Sequence, residues 1–305
     1  MTDTAVDVVI VGGGPAGLCA AVWLARYLHS VVVIDSGDPR NWETRAVNGY
    51  LGLQGITPPE LRGRGRDECR QFGVTLIDAN VSTVERCDDD QFRVSLANGM
   101  TIVASRLLLA IGIVDVWPDI PGLERVYGKT AHVCPDCDGY ESRDTKVVVI
   151  GSGRKAVGMA LALTTWTREI VICTNGAPAD ITDELLAKVE ALDIPVLETR
   201  ITCARSKHGT LNALDLDGGM CLDCEHIFFA LGQSPADDLG TQLGCTRDNI
   251  GRIIVDEHSH TSVMNVFAAG DVMHGTQLAI VAAASGAKAA VAMHHSLVPE
   301  GRRLE

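Results

Sequence analysis

The stretch CPDCDGYE, residues 134–141, puts Cys134 and Cys137 two residues apart with Asp138 directly behind them. Cysteines at that spacing can bind a metal, close a structural disulfide or shuttle electrons by reversible thiol chemistry. A structural metal wants four ligands, so a second pair would be needed. CLDC supplies Cys221 and Cys224, but far beyond the usual gap of roughly 15–20 residues between such pairs. It also runs straight into the apolar segment HIFFALG, where strand alternation sends near neighbours to opposite faces. No metal site is expected. Cys221 and Cys224 read as strand and turn residues, with a second redox pair as the alternative. Cys134 and Cys137 open a helix, where positive dipole ends favour a thiolate. Asp138 is then a candidate acid–base group for a leaving thiolate, or a helix-start acid that complements the dipole.

The elements that must position this pair form an internal repeat. Residues 7–25 read DVVIVGGGPAGLCAAVWLA and residues 146–163 read KVVVIGSGRKAVGMALAL. Each is a β-branched apolar run suited to a buried parallel strand, then a glycine turn, then an alanine-rich helix. Gly12, Gly14 and Gly17 align with Gly151, Gly153 and Ala156. The first glycine permits the tight turn, the second lets backbone approach a pyrophosphate, and the third position allows close helix–strand packing. Phosphates then rest on free N–H groups at a helix start. After the first turn, VVVID ends in Asp35, placed to accept ribose hydroxyls. After the second, IVICT ends in Thr174, and TNGAPADIT offers neither a carboxylate for NAD nor paired arginines for NADP. RLLLAIG (106–112) and HIFFALG (226–232) fit the strands that return under each nucleotide site. NVFAAGDV (265–272) precedes a long alanine-rich helix whose start can face a cofactor ring.

Composition bounds the function. A chain of 305 residues is long enough for two domains with real cores. A formal net charge of −13 argues against a nucleic-acid partner, which needs a basic surface. The acidic start MTDTAVD lacks a secretory basic region, and no apolar run approaches the ~18 residues of a membrane span. The expectation is a cytoplasmic protein with no membrane partner. Its ten cysteines then do not form a secreted disulfide framework. Cys19, Cys69, Cys87, Cys173, Cys203 and Cys245 read as isolated, mostly buried thiols.

GGGPAG, CPDCDG and FAAGDV occur in the order seen in low-molecular-weight thioredoxin reductases, and the chain resembles that flavoprotein family over nearly its whole length. The resemblance implies an α/β fold of two three-layer, Rossmann-like nucleotide-binding domains, the second inserted into the first. An FAD-binding domain would comprise residues 1–115 and 245–305, and a dinucleotide-binding-like domain with the redox pair residues 116–244. It further implies a homodimer. Carried over by position, FAD would meet Gly12, Gly13, Gly14, Pro15, Ala16 and Gly17 of the turn, then Asp35, Ser36, Arg40 and Asn48. Val81, Ala110, Ile111, Gly112, Gly270, Asp271, Gln277 and Leu278 complete the set. Asp271 would hold the ribityl chain, and Gln277 and Leu278 the pyrimidine edge. Thr276 stands where the family carries arginine. Cys137 would exchange electrons with the flavin, and Cys134 would form a mixed disulfide with a thioredoxin-like protein or a small disulfide or dithiol.

The resemblance to NADPH-using members stops at CTNGAP, which replaces their arginine-rich segment. A second dinucleotide cradle would keep only Gly151, Gly153, Arg154, Lys155 and Ala156. Efficient NAD(P)H use is therefore not expected. Electrons would come from ferredoxin or from a second flavin in that cradle. SGDPRNW, NGYLGLQGITPPEL and CDGYE resemble flavin-dependent dithiol oxidases, which pass electrons to dioxygen, although those commonly carry histidine where Asp138 stands. The alternatives are thus a dithiol oxidase, an ordinary NAD(P)H-dependent reductase, or a flavoprotein that serves as a binding module. Arg62, Arg66 and Arg70 in RGRGRDECR share one helical face, expected to be solvated or to dock an acidic ferredoxin.

Overall fold

The computed structural model describes residues 4–41, 43–87 and 90–302. The acidic start before residue 4, Trp42 of SGDPRNW and the last three residues of the expected first domain lie outside them. The chain opens with β1 (Thr4–Val11), α1 (Pro15–Arg26), β2 (Val31–Asp35), α2 (Pro58–Gln71) and β3 (Thr75–Asp78). β4 (Val81–Arg86), β5 (Phe92–Leu96), β6 (Thr101–Leu109) and β7 (Ile113–Asp115) follow. The middle of the chain supplies β8 (Ala131–His132), α3 (Pro135–Asp138), β9 (Val147–Ile150), α4 (Gly153–Leu163), β10 (Ile170–Cys173), α5 (Asp183–Glu190) and β11 (Val196–Leu197). It continues with β12 (Ile201–Lys207), β13 (Thr210–Leu216), β14 (Cys221–Asp223) and β15 (His226–Phe229). β16 (Gln233–Pro235), α6 (Leu239–Gln242), β17 (Val266–Ala268) and α7 (Ala279–Leu297) complete it.

These elements form two compact units, one drawn from residues 1–42, 50–114 and 233–305, the other from 43–49 and 115–232. Residues 233–244 fall in the first unit because Leu239 is buried in its core. In that unit the sheet runs β3-β2-β1-β6-β5-β4, and β17 also pairs with β6. β1 pairs in parallel with β2 and β6, which explains why Val8 to Val11 are apolar on both faces. Leu24, Leu108, Phe267 and Met293 fill the layer beneath α1 and α7, and Phe92, Val94 and Leu107 fill the opposite one. α1 starts with Pro15 at its first helical position, where a missing N–H costs nothing. α7 lies so close to α1 that a Cβ on Gly286 would sit 2.0 Å from the Ala16 carbonyl oxygen.

The second unit repeats the plan with a five-stranded sheet, β11-β10-β9-β15-β8, parallel throughout. β9 is buried along its whole length, and Phe228, Ala156 and Leu163 pack on one side of the sheet. Antiparallel β12, β13 and β14 cover the other side through Ile201, Leu211 and Leu214. Full burial of a side chain such as Phe228 contributes about 1.5–3 kcal/mol. RLLLAIG and HIFFALG provide β6 beside β1 and β15 beside β9, the returning strands of the two halves. Among the described residues no helix is long and apolar enough to cross a membrane.

Candidate active site and nucleotide cradles

The first glycine turn connects β1 to α1. Gly12 has φ +106°, and a Cβ there would lie 2.2 Å from the Ala110 carbonyl oxygen. One on Gly17 would lie 1.9 Å from the Gly12 carbonyl oxygen. Both contacts are backbone, so only glycine fits. In front of Gly14 the space is open, and α1 has no side-chain cap on its first amides. A cavity of about 770 Å³ opens there, beside Gly14, Pro15, Gly37 and Asp38. An open helix start next to a cavity of that size fits the pyrophosphate and adjoining parts of FAD.

Asp35 ends β2, with its Oδ2 against the guanidinium of Arg62 (Nε at 3.1 Å) and 3.5 Å from Arg66 Nη1. Its Oδ1 accepts only the Gly37 amide among the hydrogen bonds seen, at 3.2 Å, and keeps lone-pair capacity for a hydroxyl. The arginine face of α2 is therefore not the solvated or docking surface that its spacing implied. Arg66 also reaches Asp78, at 2.8 Å, with only 11% of its side chain exposed. Arg70 alone of the three is well exposed, and it pairs with Asp67 at 2.6 Å.

Three expected contacts from distant parts of the sequence meet in this unit. Arg40 Nη1 donates to Asp271 Oδ2 at 3.1 Å and to Gln277 Oε1 at 3.2 Å. Gln277 in turn exchanges amide hydrogen bonds with Gln233, at 2.9 and 3.1 Å. Gly270 takes φ +82° and donates its N–H to Ser285 Oγ of α7 at 2.8 Å. Leu278 is the N-cap residue of α7, and Val81 starts β4 opposite Leu96. Ala110 donates to the Val11 carbonyl at 2.8 Å, Ile111 packs against the adjacent core, and Gly112 accepts from Ala236 at 3.2 Å. Ser36 accepts from the Asp38 amide, at 3.4 Å. Asn48, expected among the flavin contacts, belongs to the second unit, where its Nδ2 donates to the Cys137 carbonyl at 3.1 Å.

The second turn keeps the frame and loses the opening. Gly151 has φ +156° and donates to the Cys173 carbonyl at 3.1 Å, while Ala156 packs in the core. Gly153, the counterpart of Gly14, donates its amide to the Ala179 carbonyl at 2.7 Å. A Cβ on Gly153 would stand 3.2 Å from the Asp180 carbonyl oxygen and 3.7 Å from its Oδ2. The strap formed by residues 174–182, between β10 and α5, is pinned on its other side, where the Ala179 N–H donates to Glu198 Oε1 at 2.7 Å. Thr174, buried at the end of β10, bonds the Ala177 carbonyl and folds the strap inward. Arg154 is exposed, and the exposed Lys155 extends its ammonium toward Gly232. A backbone amide already bonded, with a carboxylate beside it, is a poor receptor for phosphate.

Cys134 and Cys137 form a disulfide. Cys134 is the N-cap of α3, and its Sγ accepts the Cys137 N–H at 3.2 Å. Asp138 ends α3 and places its Oδ2 3.4 Å from Nδ1 of buried His132. His132 Nε2 lies 3.1 Å from His226 Nδ1. Burial, and then the charge of His132, pushes His226 down to about 4. Neither histidine stood out in the sequence. His132 stands in register with Phe228, so His226 is its diagonal neighbour two residues away, a relation that no local motif marks. Cys221 is exposed and Cys224 buried, as strand alternation requires. Burial, followed by the charge of Asp223, pushes the Cys224 thiol up to about 12, which leaves no thiolate for redox chemistry near neutrality.

Residues 6–286 match the family described as pyridine nucleotide-disulphide oxidoreductase. A probable thioredoxin reductase of Arthroderma benhamiae is 27% identical over 326 residues, spanning 96% of this chain and 81% of its own length. Among solved structures, HlmI is 35% identical, with a TM-score of 0.91 over 96% of this chain and 93% of that one. A putative thioredoxin reductase, TrxB, from Bacillus anthracis is 27% identical, with a TM-score of 0.89 over 96% and 98% of the two chains.

Proposed function

The chain belongs to the pyridine nucleotide-disulphide oxidoreductase family as a thioredoxin reductase-like enzyme, and from that premise we propose that it links FAD to an external disulfide or dithiol through Cys134 and Cys137, without efficient use of NAD(P)H. FAD, when bound, supplies a two-electron carrier. The Gly12–Gly17 turn would hold its pyrophosphate, Asp35 its ribose, and Arg40, Asp271 and Gln277 the remainder. Cys134 attacks the external disulfide to give a mixed disulfide, and Cys137 then attacks Cys134 and closes the pair. Asp138 protonates the leaving thiolate.

The bond between the Gly153 amide and the Ala179 carbonyl, at 2.7 Å, carries the statement about the donor. It occupies the group on which a nicotinamide dinucleotide would rest its phosphates, and Asp180 adds negative charge beside it. The same contact counts against a second flavin in that cradle. A reduced carrier such as ferredoxin is the donor that remains, although the paired arginines of α2 supply no free basic face for it. We propose further that the enzyme is a homodimer acting in a reducing cytoplasm, in keeping with the unpaired state of Cys19, Cys69, Cys173 and Cys245.

Anaerobic titration of the flavin-loaded protein tests this reading. Dithionite should bleach the flavin fully, and millimolar NADPH slowly or not at all. Fast bleaching by NADPH would restore an ordinary reductase. Peroxide released when dithiol is added under air, in place of turnover with reduced ferredoxin, would make it a dithiol oxidase. Cys137→Ser should retain flavin and lose its reduction by dithiol.

A further inference from the structure

Behind the disulfide lies a cluster that the reaction above uses at one end only. His132 ends β8, and His226 opens the adjacent strand β15. Their rings stand 5.3 Å apart and 15° from parallel, with Phe228 packed 5.1 Å from His132. The two residues are only 6% and 9% exposed. Two imidazole nitrogens 3.1 Å apart share one hydrogen, so one ring donates while the other accepts. Asp138 faces His132 from α3 at 3.4 Å. Glu225, whose carboxylate takes the Lys146 amide at 3.2 Å, is the other charged group acting on His226. A carboxylate in ion-pair range of a first imidazole, which is hydrogen-bonded to a second, neutral imidazole, thus forms a line that starts at the residue after Cys137.

We propose that Asp138, His132 and His226 form a buried relay that stores the thiol proton of Cys134 during attack and returns it to the leaving group, with His132 as the positioning residue. The inference rests on the acid–base reading of Asp138. Once the disulfide is reduced, and before the external disulfide arrives, Cys134 gives its proton to Asp138, which passes it to His132. The imidazolium sits between the restored carboxylate at Nδ1 and neutral His226 at Nε2. The Cys134 thiolate bonds to one sulfur of the external disulfide as that disulfide's S–S bond breaks. The departing thiolate recovers the stored proton from His132 through Asp138. Cys137 then attacks the Cys134 sulfur, and the second departing thiolate takes the proton of Cys137. Two electrons pass from the dithiol to the external disulfide, which leaves as two thiols, and no net proton is taken up.

The leaving group distinguishes a relay from a mere structural role. An alkyl thiolate needs a proton to leave well, whereas an aromatic thiolate of low pKa does not. The full-length, flavin-loaded protein, reduced anaerobically, is mixed with hydroxyethyl disulfide or with dithiobis-nitrobenzoate across pH 6–9. His132→Gln should slow the alkyl reaction by about 10- to 100-fold and flatten its pH profile, with a clearly smaller loss for the aromatic probe, which still needs the Cys134 thiolate but no proton on its leaving group. His226→Gln should act in the same sense and less. Equal losses on both probes, or none on either, overturn the relay. If Asp138→Asn slows the alkyl reaction and His132→Gln does not, the relay falls while Asp138 keeps its role; if neither does, both fall. Should the variants misfold, ring nitrogen shifts of ¹⁵N-histidine in the unaltered protein decide. The His132 shift moves when the disulfide is reduced, and an unmoved shift overturns the proposal.

Discussion

The two glycine turns of this molecule share a strand, a tight bend and an alanine-rich helix, and they part at one amide. In the first, nothing stands within 4 Å of the position a Gly14 side chain would take. In the second, the Gly153 N–H is already bonded to the Ala179 carbonyl, and Asp180 crowds the same place. A phosphate-binding motif in sequence therefore reports a scaffold. Whether its N–H groups are free is decided by a strap that arrives after the next strand.

The largest break between the two should come from substituting one glycine in each turn, at non-equivalent positions, Gly12 in the first and Gly153 in the second. Gly12→Ala drives a Cβ against the Ala110 carbonyl from a φ of +106°, which costs roughly 3 kcal/mol or more and should leave the protein without flavin. Gly153→Ala meets the Asp180 carbonyl at 3.2 Å and its Oδ2 at 3.7 Å from a φ of +60°, costing about 1–2 kcal/mol with flavin retained. The ratio of flavin to protein absorbance and the melting temperature read both. Equal flavin loss in the two variants would erase the distinction.

Acid should act on the second unit through His226. Its folded value of about 4 lies below the ordinary 6.5, so the unfolded chain binds the extra proton. That stabilisation is full above pH ~6.5 and is lost as pH falls toward 4, by up to about 3 kcal/mol. Melting curves should show the loss in the unaltered protein and a flatter dependence in His226→Gln. Parallel curves would mean that the imidazole is no less solvated folded than unfolded. The smallest effect belongs to the strap. Glu198→Ala releases the Ala179 N–H and removes one hydrogen bond of about 1 kcal/mol. Flavin bleaching by NADPH should then quicken by no more than about 5-fold. A larger gain would show that Glu198 alone keeps the cradle shut.

What was legible in the sequence was what local chemistry dictates. Glycines at tight turns, unbroken apolar runs in doubly covered strands, and a cysteine pair before a strand announce themselves without a partner. The second turn's missing ribose selector at Thr174 was legible too, but its occupied amide was not, because Ala179 contributes only backbone. The helical spacing of Arg62, Arg66 and Arg70 was visible, yet spacing does not say which way a face looks, and Asp35 and Asp78 draw two of them in. Asn48 sits in a short segment that joins the other unit, a long-range choice no motif marks. His132 and His226 meet only because two short strands become neighbours in the sheet.

The backbone contact between Gly286 of α7 and Ala16 of α1 sets an order of events at the ribosome. The first cofactor turn, at residues 12–17, is made well before the helix that braces it, at residues 279–297, leaves the ribosome. At about 5–20 residues per second, the interval from the end of β6 to the end of α7 is on the order of ten to forty seconds. The middle unit, contiguous except for residues 43–49, can finish within that interval. The first unit is therefore completed after the unit that interrupts it, and a nascent chain cut short before α7 would hold a formed disulfide unit and an unbraced nucleotide fold.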